Sequence, residues 1–112
     1  MARAQELGAK TLEVAASRNG GLEAGAILKT LAGEGLTRVY CEGGGGLAAA
    51  LLGADLVDQL VVFQAGMAIG AEGRPALGAM GLARLGDAQR FDLVSTRVLG
   101  PDTVTVWRKP QR

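Results

Sequence analysis

The sequence has 112 residues, a net charge of +1, 48% hydrophobic residues and 21% charged residues of both signs, the composition of one small globular domain. Charge so close to balance gives no electrostatic reason for a nucleic-acid or membrane-surface partner, and no window holds the roughly 20 unbroken apolar residues that cross a bilayer. With no histidine and a single cysteine, Cys41, the chain can build no Ser-His-Asp triad, no Cys-His pair, no ordinary zinc site and no nucleobase-deaminase centre.

One thiol forms no internal disulfide, which fits a reducing cytoplasm. Met1 to Lys10 lack the apolar block of a signal peptide. Arg108, Lys109 and Arg112 read as a solvated basic end. A chain this long buries roughly two-thirds of its unfolded surface, so the core is expected to be thin and to need a further layer or a second copy.

In chain order, Met1–Leu7 has helical character and Gly8 ends it. Lys10–Ala16 alternates and is β-branched, which predicts a strand, and Ser17-Arg18-Asn19-Gly20-Gly21 is a turn cluster. From about Leu22 to Glu34, Ala24, Ile27, Leu28 and Leu31 recur at i, i+3, i+4 and i+7, one face of a helix. Gly35 suits a left-handed C-cap. Thr37–Cys41 reads as a buried strand, placing Cys41 in an apolar environment. Leu47–Leu52 restarts as a helix stopped by Gly53. Asp55 and Asp58 are turn and capping residues leading into a strand at Gln59–Gln64. Gly66 to Gly86 is long and weakly periodic, with a short helical turn expected at Ala79–Leu82; a segment of this length usually has a job or is mobile. Arg90–Leu99 and Thr103–Arg108 form a hairpin around Gly100-Pro101-Asp102, with Val104 and Val106 on the face opposite Thr103, Thr105 and Trp107. Met67, Met80 and Trp107 read as packing residues. A parallel pair is expected between Thr37–Cys41 and Gln59–Gln64, with the hairpin in the same sheet.

The informative stretch is Tyr40-Cys41-Glu42-Gly43-Gly44-Gly45-Gly46-Leu47. Glycine permits positive φ and lets a ligand approach the backbone. The first-turn N–H groups of the helix behind it favour an anion such as a phosphate, and open α/β sheets place ligands at such strand ends. A bare glycine turn would not need four glycines in a row, each costing backbone entropy. No Gly-Lys-Ser/Thr follows, so this is no P-loop. Gly43-x-Gly45-x-x-Ala48 fits the Rossmann pattern loosely, and the acidic residue that pattern requires at the tip of the next strand is absent. Glu42 beside a phosphate site either meets another part of the ligand, such as a hydroxyl, or accepts backbone N–H groups in the turn.

Val39-Tyr40-Cys41-Glu42-Gly43-Gly44-Gly45-Gly46-Leu47-Ala48-Ala49-Ala50-Leu51-Leu52 resembles a stretch of the riboflavin-pathway pyrimidine reductases. Leu56-Val57-Asp58-Gln59-Leu60, Gly70 and Gly100-Pro101-Asp102 are similar to later elements of that family. The resemblance runs from about Leu22 to Arg108. It implies an α/β fold like that of dihydrofolate reductase: a mostly parallel sheet with flanking helices and a C-terminal antiparallel hairpin, here only its C-terminal part. Residues 1–112 would be one partial reductase domain, without the reductase's N-terminal half and without a deaminase domain.

The resemblance further implies NADPH-dependent reduction of the ribosyl group of 5-amino-6-(5-phosphoribosylamino)uracil to the ribityl form. Glu42 would contact that substrate, and Gly44, Gly45, Gly46, Leu47, Ala48, Ala49 and Ala50 would hold NADPH. No catalytic side chain and no metal ligand is assigned, since the hydride chemistry belongs to the cofactor. Gly66-Met67 stands where the family usually has Pro-Lys, so a lysine contact there is lost. A cytoplasmic homodimer is expected, with weak NADPH binding and no turnover by this chain alone. The alternatives are a non-catalytic nucleotide-binding or dimerisation module of the same fold, and a reductase acting on another pterin-like or pyrimidine substrate.

Overall fold

A computed structural model describes residues 2–111; Met1 and Arg112, with their share of the N-terminal helix and the basic end, lie outside the described residues. The chain divides into two units, up to Cys41 and from Glu42 onward.

The first unit holds two helices. Helix α1, Ala2–Glu6, stops before Gly8 at φ 83°. Lys10–Ala16 is no strand. It contributes one antiparallel bridge, Ala16 to Leu22, across a turn closed by Ser17 N–H donating to Gly21 O at 2.6 Å. A strand needs a partner, and a turn this tight lets the segment meet its own return at a single point. Helix α2, Ala24–Gly33, starts on Glu23, whose carboxylate accepts the N–H groups of Gly25 and Ala26 at 3.0 and 2.7 Å. Two donors that the helix cannot satisfy internally are thereby used. Ala24 is buried and Ile27, Leu28 and Leu31 half-buried, the face that the spacing predicts. Gly35, at φ 88°, donates to Ala32 O, and Leu36 N–H donates to Leu31 O. These are the two bonds of a Schellman C-cap.

Thr37–Cys41 carries no helix or strand, and Val39, Tyr40 and Cys41 are exposed. The expected strand, its parallel pair with Gln59–Gln64 and the apolar burial of Cys41 are therefore not found. β-branched composition favours an extended chain, but only a partner turns it into a ladder.

The second unit contains helix α3, Gly45–Gly53, and strands β1, Gln59–Gln64, β2, Asp92–Leu99, and β3, Asp102–Arg108. The sheet order is β1-β3-β2 with antiparallel pairing throughout. The hairpin thus shares a sheet with β1, as expected. Leu99 faces Asp102 across a two-residue loop, Gly100-Pro101, with Gly100 at φ 59°. Positive φ at the first central residue matches the right-handed twist of the flanking strands. Asp102 begins a strand rather than belonging to the turn. The alternation predicted along β2 is broken once, by a bulge between Leu93, opposite Trp107, and Ser95, opposite Val106. Val94 is the extra residue.

Register places Val61, Phe63, Val104 and Val106 on one face. Leu60, Val62, Thr105 and Trp107 lie on the other, where Trp107 Nε1–H donates to Thr105 Oγ1 at 2.9 Å. The buried core is small: Val104, Leu52 and Ala49 in this unit, at 3, 5 and 6% exposure. Phe63, Leu93 and Val98 are exposed on the strands, and Met67, expected to pack, is 72% exposed. Between β1 and β2 the chain forms 3-10 turns at Gly70–Glu72 and Leu85–Asp87, and no helix at Ala79–Leu82.

Candidate functional site

Helix α3 begins directly out of the glycine run, two residues earlier than the apolar pattern predicts. Gly44 is its N-cap, extended at φ −68° and ψ 175°, and supplies no side-chain cap. The first intrahelical bond runs from Ala48 N–H to Gly44 O at 3.1 Å. The N–H groups of Gly45, Gly46 and Leu47 therefore project from the helix start without an intrahelical acceptor. They coincide with the positive end of the helix dipole. α2 spends the same donors on the Glu23 carboxylate; α3 does not.

None of the four glycines adopts positive φ. Two of them, Gly43 and Gly45, meet a steric demand instead. Methyl groups added at Gly44 and Gly46 would find no atom within 4 Å. At Gly43 one would meet Leu47 Cδ2 at 2.6 Å, so the Leu47 side chain lies back over Gly43. At Gly45 it would meet backbone: Pro75 O at 2.9 Å, Ala76 O at 3.1 Å and Gly78 N at 3.1 Å. The side of the first turn on which Cβ atoms would stand is thus open at Gly44 and Gly46 and filled at Gly43 and Gly45. Free first-turn donors beside open space suit a phosphate oxygen.

Glu42 is exposed immediately before the run. Among the described residues, the carboxylate bonds to backbone N–H groups are those of Glu23, so Glu42 does not cap the glycine turn. Its oxygens are available to a donor from outside. Of the three alanines, Ala49 is buried against the core, Ala48 half-buried and Ala50 exposed. Their N–H groups lie beyond the first turn, where donors bond within the helix. Gly44–Leu47 therefore form the accessible end of the predicted set. No group of His, Cys, Asp and Glu residues among those described could hold a metal ion, and no described helix is long and apolar enough to cross a membrane.

The far end of α3 is anchored at Asp55, which the sequence reading took as a turn and capping residue. Asp55 stands at φ 58°, the non-glycine residue of positive φ in the described chain. Asp55 N–H donates to Leu52 O and Leu56 N–H to Leu51 O, again a Schellman cap, with aspartate in glycine's usual place. The Asp55 carboxylate is 2.9 Å from Lys109 Nζ and accepts from Gln89 Nε2. Lys109 N–H donates to Asp58 O at 2.9 Å. The helix that presents the glycines is thereby tied to the end of β3.

A family model described as the RibD C-terminal domain matches residues 2–105. The riboflavin biosynthesis protein RibD of Escherichia coli (strain K12) is 35% identical over 83 residues, covering 74% of this chain and 23% of that protein. Among solved structures, Acinetobacter baumannii RibD in forms 2 and 1 superposes with TM-scores of 0.78 and 0.77 at 22% identity. The matches cover 98 and 99% of this chain and 29% of each of those chains. That likeness establishes the shared fold, of which this chain holds the part ending in the antiparallel hairpin. The chain spans about a quarter of the length of these relatives.

Proposed function

Because the chain belongs to the RibD C-terminal domain family of riboflavin-biosynthesis reductases, we propose that the mouth of α3 holds phosphate groups of NADPH. Glu42, in the same reading, meets the sugar of a phosphoribosylamino-pyrimidine. The reaction is reduction of the ribosyl group of 5-amino-6-(5-phosphoribosylamino)uracil to the ribityl form. The observation that carries the reading is the uncapped start of α3, clear on the methyl side of Gly44 and Gly46.

NADPH, when bound, supplies the hydride. The residues of this chain do the holding. N–H groups of Gly45, Gly46 and Leu47 donate to phosphate oxygens in charge-assisted bonds of the stronger kind. Glu42 accepts a hydrogen bond from a sugar hydroxyl, which keeps its negative charge off the phosphates. Leu47, lying over Gly43, shields one flank from water. The exposed apolar strand residues support a homodimer, and a cytoplasmic location belongs to the same proposal.

Titration of the isotope-labelled chain with NADPH tests the assignment by NMR. Amide resonances of Gly44–Leu47 are expected to shift, with inorganic pyrophosphate competing for the same resonances. Shifts confined to residues outside α3 and its glycine run would overturn it.

A further inference from the structure

The long segment between β1 and β2 meets the start of α3 backbone to backbone. Pro75 O, Ala76 O and Gly78 N stand where a side chain on Gly45 would be, at 2.9, 3.1 and 3.1 Å. Gly78 N–H donates to Gly45 O at 2.9 Å. In return, a methyl on Gly78 would stand 3.3 Å from Gly45 O and 3.4 Å from Gly46 Cα. Two backbones touch here with glycine on both sides. The atoms involved are main-chain atoms, which cannot swing aside as a side-chain tip can.

We propose that Pro75–Gly78 is a brace that positions the first turn of α3 for anion binding, with Gly78 and Pro75 as positioning residues. The proposal rests on the phosphate-site reading above and gives it a mechanism. A nine-residue helix is marginal by itself, and its first turn needs an external partner. The usual partner is a capping oxygen, as Glu23 is for α2. A carboxylate in that place at α3 would occupy the donors and repel a phosphate. The brace holds the turn through an acceptor instead. Gly45 O has two lone pairs; one serves the helix and the other takes the Gly78 N–H. The donors of Gly45, Gly46 and Leu47 stay free, and their direction is set. The brace also closes the Gly45 flank, so a ligand enters past Gly44 and Gly46.

The test uses Pro75→Gly, which loosens the brace without adding an atom, and Gly78→Ala, which pushes it away from Gly45. Gly45→Ala is the sharper third variant. Hydrogen exchange of the Ala48 and Ala49 amides, the first to bond within α3, is measured in the full chain without ligand, alongside NADPH titration and thermal unfolding. The expected result is exchange faster by about tenfold and NADPH affinity weaker by about tenfold in each variant. In Pro75→Gly and Gly78→Ala the unfolding midpoint should move by only about 2–4 °C. Unchanged exchange and unchanged affinity would overturn the brace. Weaker affinity with unchanged exchange would overturn it too, because the segment would then touch the nucleotide directly. If the parent chain binds no NADPH while the variants still speed exchange at Ala48 and Ala49, the cofactor reading falls and the brace stands.

Discussion

Gly46→Ala is expected to make the protein more stable and a worse cofactor binder. Gly46 is the second residue of α3, and no atom lies within 4 Å of the place its methyl would take. The substitution removes glycine's helix penalty, about 0.5–1 kcal/mol at a position near the helix end, and introduces no clash. The same methyl enters the space through which a phosphate reaches the first-turn donors. Losing one charge-assisted hydrogen bond costs about 1.5–3 kcal/mol, a weakening of NADPH binding by about 10- to 150-fold. Gly33→Ala is the matched control. It also meets no atom within 4 Å, lies in α2, and should stabilise without touching affinity. Urea unfolding and NADPH titration of the parent and both variants give the two signs. If Gly46→Ala binds NADPH as the parent does, the clear side of α3 is not the phosphate side. If it destabilises, the space at Gly46 is not open.

Asp55→Ala is expected to cost about 2 kcal/mol in urea unfolding. Roughly 1 kcal/mol comes from a β-carbon without aspartate's tolerance of the left-handed region, and about 1 kcal/mol from the lost Gln89 and Lys109 contacts. Asp55→Asn should cost under about 1 kcal/mol, and equal losses for the two variants would rule out backbone conformation as the main term. Glu42→Gln, placed in a full-length RibD-type protein and assayed by steady-state kinetics, should raise KM for the pyrimidine by about tenfold and leave NADPH affinity unchanged; a reversed pattern would put Glu42 on the cofactor. In sedimentation, the 112-residue chain by itself should run as a dimer or larger species, since Phe63, Leu93 and Val98 stand exposed on its strands. A stable monomer at micromolar concentration would contradict that.

Those features that depend on local chemistry were legible in the sequence. α2 follows from its apolar spacing, its end from Gly35, and the β2–β3 hairpin from alternation around Gly100-Pro101. Features set by distant partners were not. Thr37–Cys41 has strand composition, but nothing in its neighbourhood says whether a ladder partner exists. The glycine run pointed correctly to the start of a helix; of the two reasons given for it, positive φ applies to none of the four. Gly45 is constrained by Pro75–Gly78, about thirty residues later, and no local pattern reveals such a contact. Asp55 read as a turn and capping residue, which it is, while its link to Lys109 depends on a strand end that reaches it only in the fold. The Val94 bulge breaks a period that looks unbroken when read as letters.

The central strand of this sheet follows both of its neighbours in the chain. β3 separates β1 from β2 and is the ladder partner of each. During synthesis β1 therefore emerges with Leu60, Val61, Val62 and Phe63 and has no mate until the chain has been translated through Trp107, which pairs with Leu60. A nascent apolar strand with an open edge invites association with other chains. A ribosome that terminates early, before Thr103, would release β1 and β2 with no partner for either. The codons of β3 thus decide whether this sheet closes or its strands become substrates for chaperones and proteases.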